Sequence, residues 1–317
     1  MAVKRIADGR PRVAAARAMG ILALAVVSLA GAPEGALART ETSVGAPEVP
    51  PAPNVNDLTT RAAALSAEGR YAEAERLYRE ALAIVEGSVG PDHPNVAVVV
   101  GNLGSVSQNL GRYQDAEGFY RRALAISEKS FGPDHPNVAA SLDSLASLYI
   151  TQAKYAEAEP LARRALAIEE KTAGKDSADL APVLSTLGDL ARARGKYEDA
   201  DEFYDRAIRI VEKKKGQDVP DLVSLLNNRA MLALERGKYP EAESSLERAL
   251  AIAKKTYRPD HPTMGMILNN LMVVYQAEGK EEKARKLSGS GVPLPPGPAQ
   301  APSPPRLPSS LEGTGGP

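Results

Sequence analysis

Tyr71, Tyr113, Tyr155, Tyr197 and Tyr239 each follow the last by 42 residues, with Glu281 at the sixth place. A chain that writes one unit six times folds by stacking it, because each copy can bury its apolar face only against its neighbours. Other columns keep the phase: Ala74, Ala116, Ala158, Ala200, Ala242 and Ala284 come three residues after the first column, and Ala81, Ala123, Ala165, Ala207 and Ala249 seven further on. Two residues ahead of the Tyr column stand Gly69, Gly111, Gly195, Gly237 and Gly279, with Ala153 as the substitute. That spacing predicts a helix ending on a residue at positive φ, so each unit is two helices joined by a tight turn.

Both helices read as one-faced. Leu142, Leu145, Ala146, Leu148 and Tyr149 follow the i, i+3, i+4, i+7 pattern in the first helix of a unit, and Tyr113, Ala116, Phe119, Tyr120, Ala123 and Leu124 do so in the second. With three Phe and no Trp among 317 residues, large rings do not build this core. Alanine at fixed columns does it instead, by letting helices approach closely. Glu75 with Arg79, Glu117 with Arg121 and Glu159 with Arg163 place an acid four residues before a base, which reads as a solvated face.

The Gly-x-Tyr-x-x-Ala core, the small residues Ala62, Gly104, Ala146, Gly188 and Ala230, and the later Ala column resemble the tetratricopeptide repeat. The 42-residue period, the segment Tyr155 to Leu166, and Gly132-Pro133-Asp134-His135-Pro136 resemble the longer repeats of kinesin light chains and their bacterial relatives. The resemblance covers about residues 56 to 289. It implies an all-α, right-handed superhelical solenoid of helix-turn-helix repeats, five full units and a shortened sixth over residues 54–289. It also implies a protein or peptide partner, held without catalysis. Kinesin binding is not implied, since nothing here matches a motor-binding coiled coil.

Composition narrows the chemistry. With 39 basic against 40 acidic residues, the chain lacks the cationic excess that a nucleic-acid backbone demands. Zero Cys removes disulfides, thiolate metal sites and a cysteine nucleophile. The three His, at 93, 135 and 261, all fall in Pro-Asp-His-Pro. One repeat advances the chain by roughly 10 Å, the helix packing distance, whereas zinc ligands stand about 2 Å from one ion, so these His do not share a metal. The expectation is turn chemistry, with the Asp capping the coming helix and Pro94, Pro136 and Pro262 in its first turn. The sequence holds no phosphate loop and no nucleophile elbow, and its acids are spread by repeat position. No enzyme, cofactor or metal is expected.

Three departures from the repeat are informative. Lys175-Asp176-Ser177 and Gln217-Asp218-Val219-Pro220 replace Pro-Asp-His-Pro in units 4 and 5, predicting looser loops. Arg229 takes a column held by Leu103, Leu145, Leu187 and Leu271, so it must either reach the groove or meet a carboxylate.

In the family resembled, the positions three and two residues before the small column commonly contact ligand from the concave face. Here they hold Thr59 with Thr60, Gly101 with Asn102, Asp143 with Ser144, Ser185 with Thr186, Asn227 with Asn228, and Asn269 with Asn270. An amide side chain both donates and accepts, and so can pair with the backbone of an extended peptide. The expected peptide-binding set is Asn102, Ser144, Thr186, Asn227, Asn228, Asn269 and Asn270, with Gln108, Asn109, Asp143, Asp189, Arg192 and Gln276 adding specificity.

The ends read differently. Lys4, Arg5, Arg10, Arg12 and Arg17 precede an uncharged run, Ala18 to Pro33, and Ala36-Leu37-Ala38, the order of a secretory signal. Residues 1–38 are thus expected to be a signal peptide cleaved near Ala38, leaving no stable membrane span in the mature chain; the alternative is an uncleaved membrane anchor. Residues 39–53 are expected to be a Pro-rich linker, and 290–317 a disordered Pro-rich tail. The sequence therefore describes an exported (periplasmic or extracellular) interaction scaffold binding an extended peptide or protein segment. The alternative is a structural, envelope-organising protein that self-associates through its repeats.

Overall fold

The computed structural model describes residues 54–288; the expected signal peptide, linker and tail lie outside them. Twelve α-helices run in six antiparallel pairs among the described residues: α1 (Val55–Ala67) with α2 (Tyr71–Val89), α3 (Pro94–Asn109) with α4 (Tyr113–Phe131), and α5 (Pro136–Thr151) with α6 (Tyr155–Thr172). α7 (Ala181–Ala193) pairs with α8 (Tyr197–Lys215), α9 (Asp221–Glu235) with α10 (Tyr239–Thr256), and α11 (Pro262–Ala277) with the shorter α12 (Glu281–Ser288). The array is the all-α repeat solenoid that the periodicity requires, and Asn54 caps its first helix. Ala153 is the one non-Gly residue at positive φ among the described residues, at 58°, in the column that is otherwise glycine.

Odd-numbered helices touch their counterparts in the next repeat, α3 on α5, α5 on α7 and α7 on α9, whereas α4 and α6 or α6 and α8 make no comparable contact. The odd helices are therefore the crowded inner row and the even ones the outer row. Ala62, Ala74, Ala146, Ala158, Ala200 and Ala230 have no exposed surface, so their columns are the close crossings within pairs. Size is traded across four of these crossings, whereas the first unit combines Ala62 with a buried Tyr78. A Cβ on Gly104 would stand 2.6 Å from the Tyr120 ring, and one on Gly188 2.5 Å from the Tyr204 ring. Where Ala146 and Ala230 replace those glycines, the tyrosine column holds Ala162 and Leu246.

Charged columns stitch neighbouring repeats along one edge. Lys129 pairs with Asp92 at 2.7 Å, Lys171 with Asp134 at 2.6 Å, Lys213 with Asp176 at 3.3 Å and Lys255 with Asp218 at 2.7 Å. Beside each, Arg122, Arg164, Arg206 and Arg248 donate to the backbone carbonyls of Pro91, Pro133, Lys175 and Gln217 and pair with Glu86, Glu128, Glu170 and Glu212. On the opposite edge the i, i+4 pairs form as expected, Glu75 with Arg79 for one, but they are not merely solvated: Glu75 also pairs with Arg112 and Glu159 with Arg194, each from the following repeat.

These pairings correct the expected cap. Asp92 and Asp134 are occupied by lysines, and the helices are capped by His93, His135 and His261, whose Nδ1 atoms accept from the amides of Asn95, Asn137 and Thr263. The Pro residues take the first turn as expected. In unit 4 a 3₁₀ turn, Ala178–Leu180, precedes α7, and in unit 5 α9 starts after Pro220 without a side-chain cap, yet both loops keep the Asp–Lys pair. Arg229 meets a carboxylate, with Nε 3.2 Å from Oδ1 of Asp205.

Both ends of the array are polar. In α3, Val99, Leu103 and Val106 are buried in one cluster with Leu77, Tyr78 and Val85 of α2; the same columns in α1 are Asp57, Arg61 and Ala64, all exposed. At the other end α12 carries Glu281, Glu282, Lys283, Arg285 and Lys286. The turn after α1 also lies beside the start of α11. A Cβ on Gly69 would stand 3.7 Å from Cγ of Pro262, and Glu68 acts electrostatically on His261.

Candidate functional site

The inner row presents its polar columns side by side, and most are paired across repeats at a spacing of 43 residues. Asn270 Nδ2 donates to Asn227 Oδ1 at 2.7 Å, Asn228 Nδ2 to Ser185 Oγ at 3.2 Å, Gln108 Nε2 to Thr151 Oγ1 at 3.3 Å, and Arg192 to Glu235 Oε1 at 2.7 Å. Thr186 bonds Asp143 in the same way. The spacing follows from stacking: one repeat brings a helix to its counterpart, and the stagger of neighbouring helices adds one residue.

Outer-row tyrosines reach through to this floor. Tyr204, with Gly188 clearing space for its ring, donates to Asp189 Oδ1 at 2.6 Å, and Tyr120, over Gly104, donates to Gln108 Oε1 at 3.1 Å. Burial pushes both phenols up in pKa. Asp189 also accepts from Asn228 at 3.5 Å and lies 3.8 Å from Arg192; desolvation raises its pKa against the opposing field of Arg192. Asp143 is 4% exposed, and its Oδ1 has no hydrogen-bond partner. Burial pushes its carboxyl up to about 7, with the bond from Thr186 opposing and the fields of Asp189 and Glu169 adding.

The expected binding residues thus divide. Ser144, Thr186 and Asn227 are buried in the floor, Ser144 donating to the Ala140 carbonyl of its own helix. Asn228 and Asn270 are half-buried, with donors committed to neighbouring repeats. Asn102 and Asn269 are half-buried as well, and their amides make no hydrogen bond among the described residues. Sequence reasoning missed Tyr120 and Tyr204 as floor residues. The signal was there in Gly104 and Gly188, each 16 residues ahead of a Tyr. The described residues hold no group of three or more potential ligands suited to a metal ion, and no described helix is long and apolar enough to cross a membrane.

A stack of helical pairs with a polar inner row and two polar ends defines a protein-interaction scaffold of the repeat-solenoid class. The tetratricopeptide repeat profile matches residues 56–106, 97–171, 145–213 and 221–290, and the chain belongs to that family. Its repeats are of the kinesin-light-chain-like type. BtubC (BKLC) from P. vanneervenii has the same fold at 19% identity and a TM-score of 0.52, over 83% of this chain and 100% of that one. A kinesin light chain protein of nearly identical TPR-like repeats from Podosopora anserina is 26% identical with a TM-score of 0.50, over 62% of this chain and 93% of that one. No curated protein matches the chain.

Proposed function

We propose that this protein is an exported scaffold that holds an extended segment of a partner protein against its inner row. The observation that carries the reading is the pair of unpartnered, half-buried amides of Asn102 and Asn269, set in a floor where several neighbouring polar side chains pair across repeats. Each offers two donors and two acceptor lone pairs to a peptide backbone. Asn270 Oδ1 adds an acceptor, its Nδ2 being held by Asn227. Export rests on the charged start, the uncharged run to Pro33 and the Ala36-Leu37-Ala38 triplet, and N-terminal sequencing should find Arg39 first.

The test of binding is a photo-crosslinking amino acid at position 102 or 269, with position 80 on the outer row as control, in cells producing the full chain. Envelope proteins should be captured from 102 and 269 and not from 80. Equal capture at all three, or capture at 80 alone, would move the site off the inner row.

A further inference from the structure

The loop ahead of α7 differs from its counterparts in what it leaves out. In unit 3 the Phe131 ring stacks on His135 with centroids 4.3 Å apart, and in unit 6 Tyr257 stacks on His261 at 4.4 Å. In unit 5 the first of these columns supplies a cation instead, Lys215, which pairs with Asp221. Unit 4 has neither device. Ala173 and Ser177 stand in the two ring columns, and a cavity of about 600 Å³ opens there to solvent, lined by residues 173–179 and by Lys214 and Lys215 at the end of α8. The rim is tethered to the next repeat, Asp176 by Lys213 at 3.3 Å and the Lys175 carbonyl by Arg206 at 3.0 Å. The volume falls within the roughly 300–1,000 Å³ of small-molecule sites.

The charges that line this cavity are only partly matched. Asp179 occupies the column of Asp221 and has no cationic partner among the described residues; its carboxylate accepts the Ser177 hydroxyl at 2.9 Å. Burial and then the field of Asp179 raise the pKa of Glu169, so the nearest acid adds to the demand for a cation. Lys175 and Lys214 form no ion pair among the described residues either, whereas Lys215 is held by Asp221. We propose that the cavity binds a small zwitterion, a free α-amino acid with an aromatic side chain, whose ammonium meets Asp179 and whose carboxylate meets Lys175 and Lys214. The ring takes the volume that Phe131 and His135 fill one repeat earlier. The site lies on the loop edge, apart from the polar columns of the inner row, and stands or falls independently of any partner held there.

Titration of the full chain with phenylalanine, followed through the amide resonances of the loop and of the end of α8, tests the site. Saturable shifts should appear at Gly174, Ser177 and Lys214 and not in the corresponding loop of unit 3. Phenylpropionate, which lacks the ammonium, and phenethylamine, which lacks the carboxylate, should each bind at least about 5-fold more weakly, the loss of one exposed ion pair. Asp179→Asn should remove the preference for phenylalanine over phenylpropionate. Ala173→Phe with Ser177→His copies the unit 3 stack into the cavity, and should abolish the shifts while leaving the melting temperature at or above that of the wild type. Absence of saturable shifts with phenylalanine, equal binding of the three compounds, or undiminished binding to the filled variant would each overturn the proposal.

Discussion

Gly188 lies so close under Tyr204 that a Cβ would stand 2.5 Å from Cε1 of the ring, while the Tyr204 hydroxyl donates to Asp189 beyond it. The missing methyl lets an outer-row side chain reach the inner floor. Gly188→Ala should therefore destabilise by about 1–3 kcal/mol through overpacking, outweighing a gain in helix propensity of about 1 kcal/mol. In a Tyr204→Leu background, which copies the Ala230–Leu246 crossing, the same substitution should cost nothing. Denaturant midpoints of the four proteins measure the coupling; additive effects would mean that the ring is not what occupies the space.

Asp143 supplies a pH signature. Its folded pKa, about 7, lies above the unfolded value of about 3.9, so the folded state retains a proton that the unfolded state releases. Stability from this group is present below the unfolded pKa and lost as pH rises to about 7. Asp143→Asn, which keeps an acceptor for Thr186, should stabilise more at pH 8 than at pH 5, by about 2–3 kcal/mol. Chemical denaturation at both pH values decides; an equal effect would mean that the carboxyl is ionised when folded.

His261 works in the opposite sense. Its Nδ1 accepts the Thr263 amide, which only a neutral imidazole can do, and burial holds its pKa below 6.5 against the fields of Asp260 and Glu68. The stability it lends is present above the unfolded pKa of about 6.5 and lost as pH falls through the folded value. His261→Asn caps without titrating. The melting temperature of wild type relative to this variant should fall between about pH 7.5 and pH 5, and a constant difference would remove the cap from the pH response.

Edge contacts should outweigh pairs within a helix. Arg206 joins Glu170 to the carbonyl of Lys175 and is 31% exposed, whereas Arg163 is 62% exposed and pairs only with Glu159 on its own helix. Arg206→Ala should cost about 1–2 kcal/mol, Arg163→Ala under about 0.5 kcal/mol. Hydrogen exchange should show faster opening between α6 and α8 in the first variant alone. Equal losses would make the edge ladder ornamental.

The pairing of helices, the turn column with Ala153, and the close crossings were all legible in a 42-residue period, because those features depend on columns within one unit. The floor was legible only in outline. Asn228 and Asn270 read as ligand contacts, and their donors turn out to bind Ser185, Asp189 and Asn227. A sequence displays the face a side chain occupies but not the partner that a one-residue stagger brings opposite, so the 43-residue ladder stayed hidden. Pro-Asp-His-Pro hid its division of labour for the same reason: either polar residue could cap, and the lysine that claims the Asp lies 37 residues downstream.

Asp57, Arg61 and Ala64 stand at the front of α1 where the complete repeats behind it have apolar contacts, except at Ser141, which bonds its own helix, and at Arg229, which pairs with Asp205. Such an array can lengthen only from within. A unit duplicated between the second and fifth meets apolar columns on both sides and inherits the Asp–Lys and Arg–Glu pairs intact. A unit appended ahead of α1 would have to cover a buried Asp and Arg. Growth and shrinkage of the gene are thus confined to its middle, and each unit added there would carry Pro262 one step further along the solenoid from Gly69.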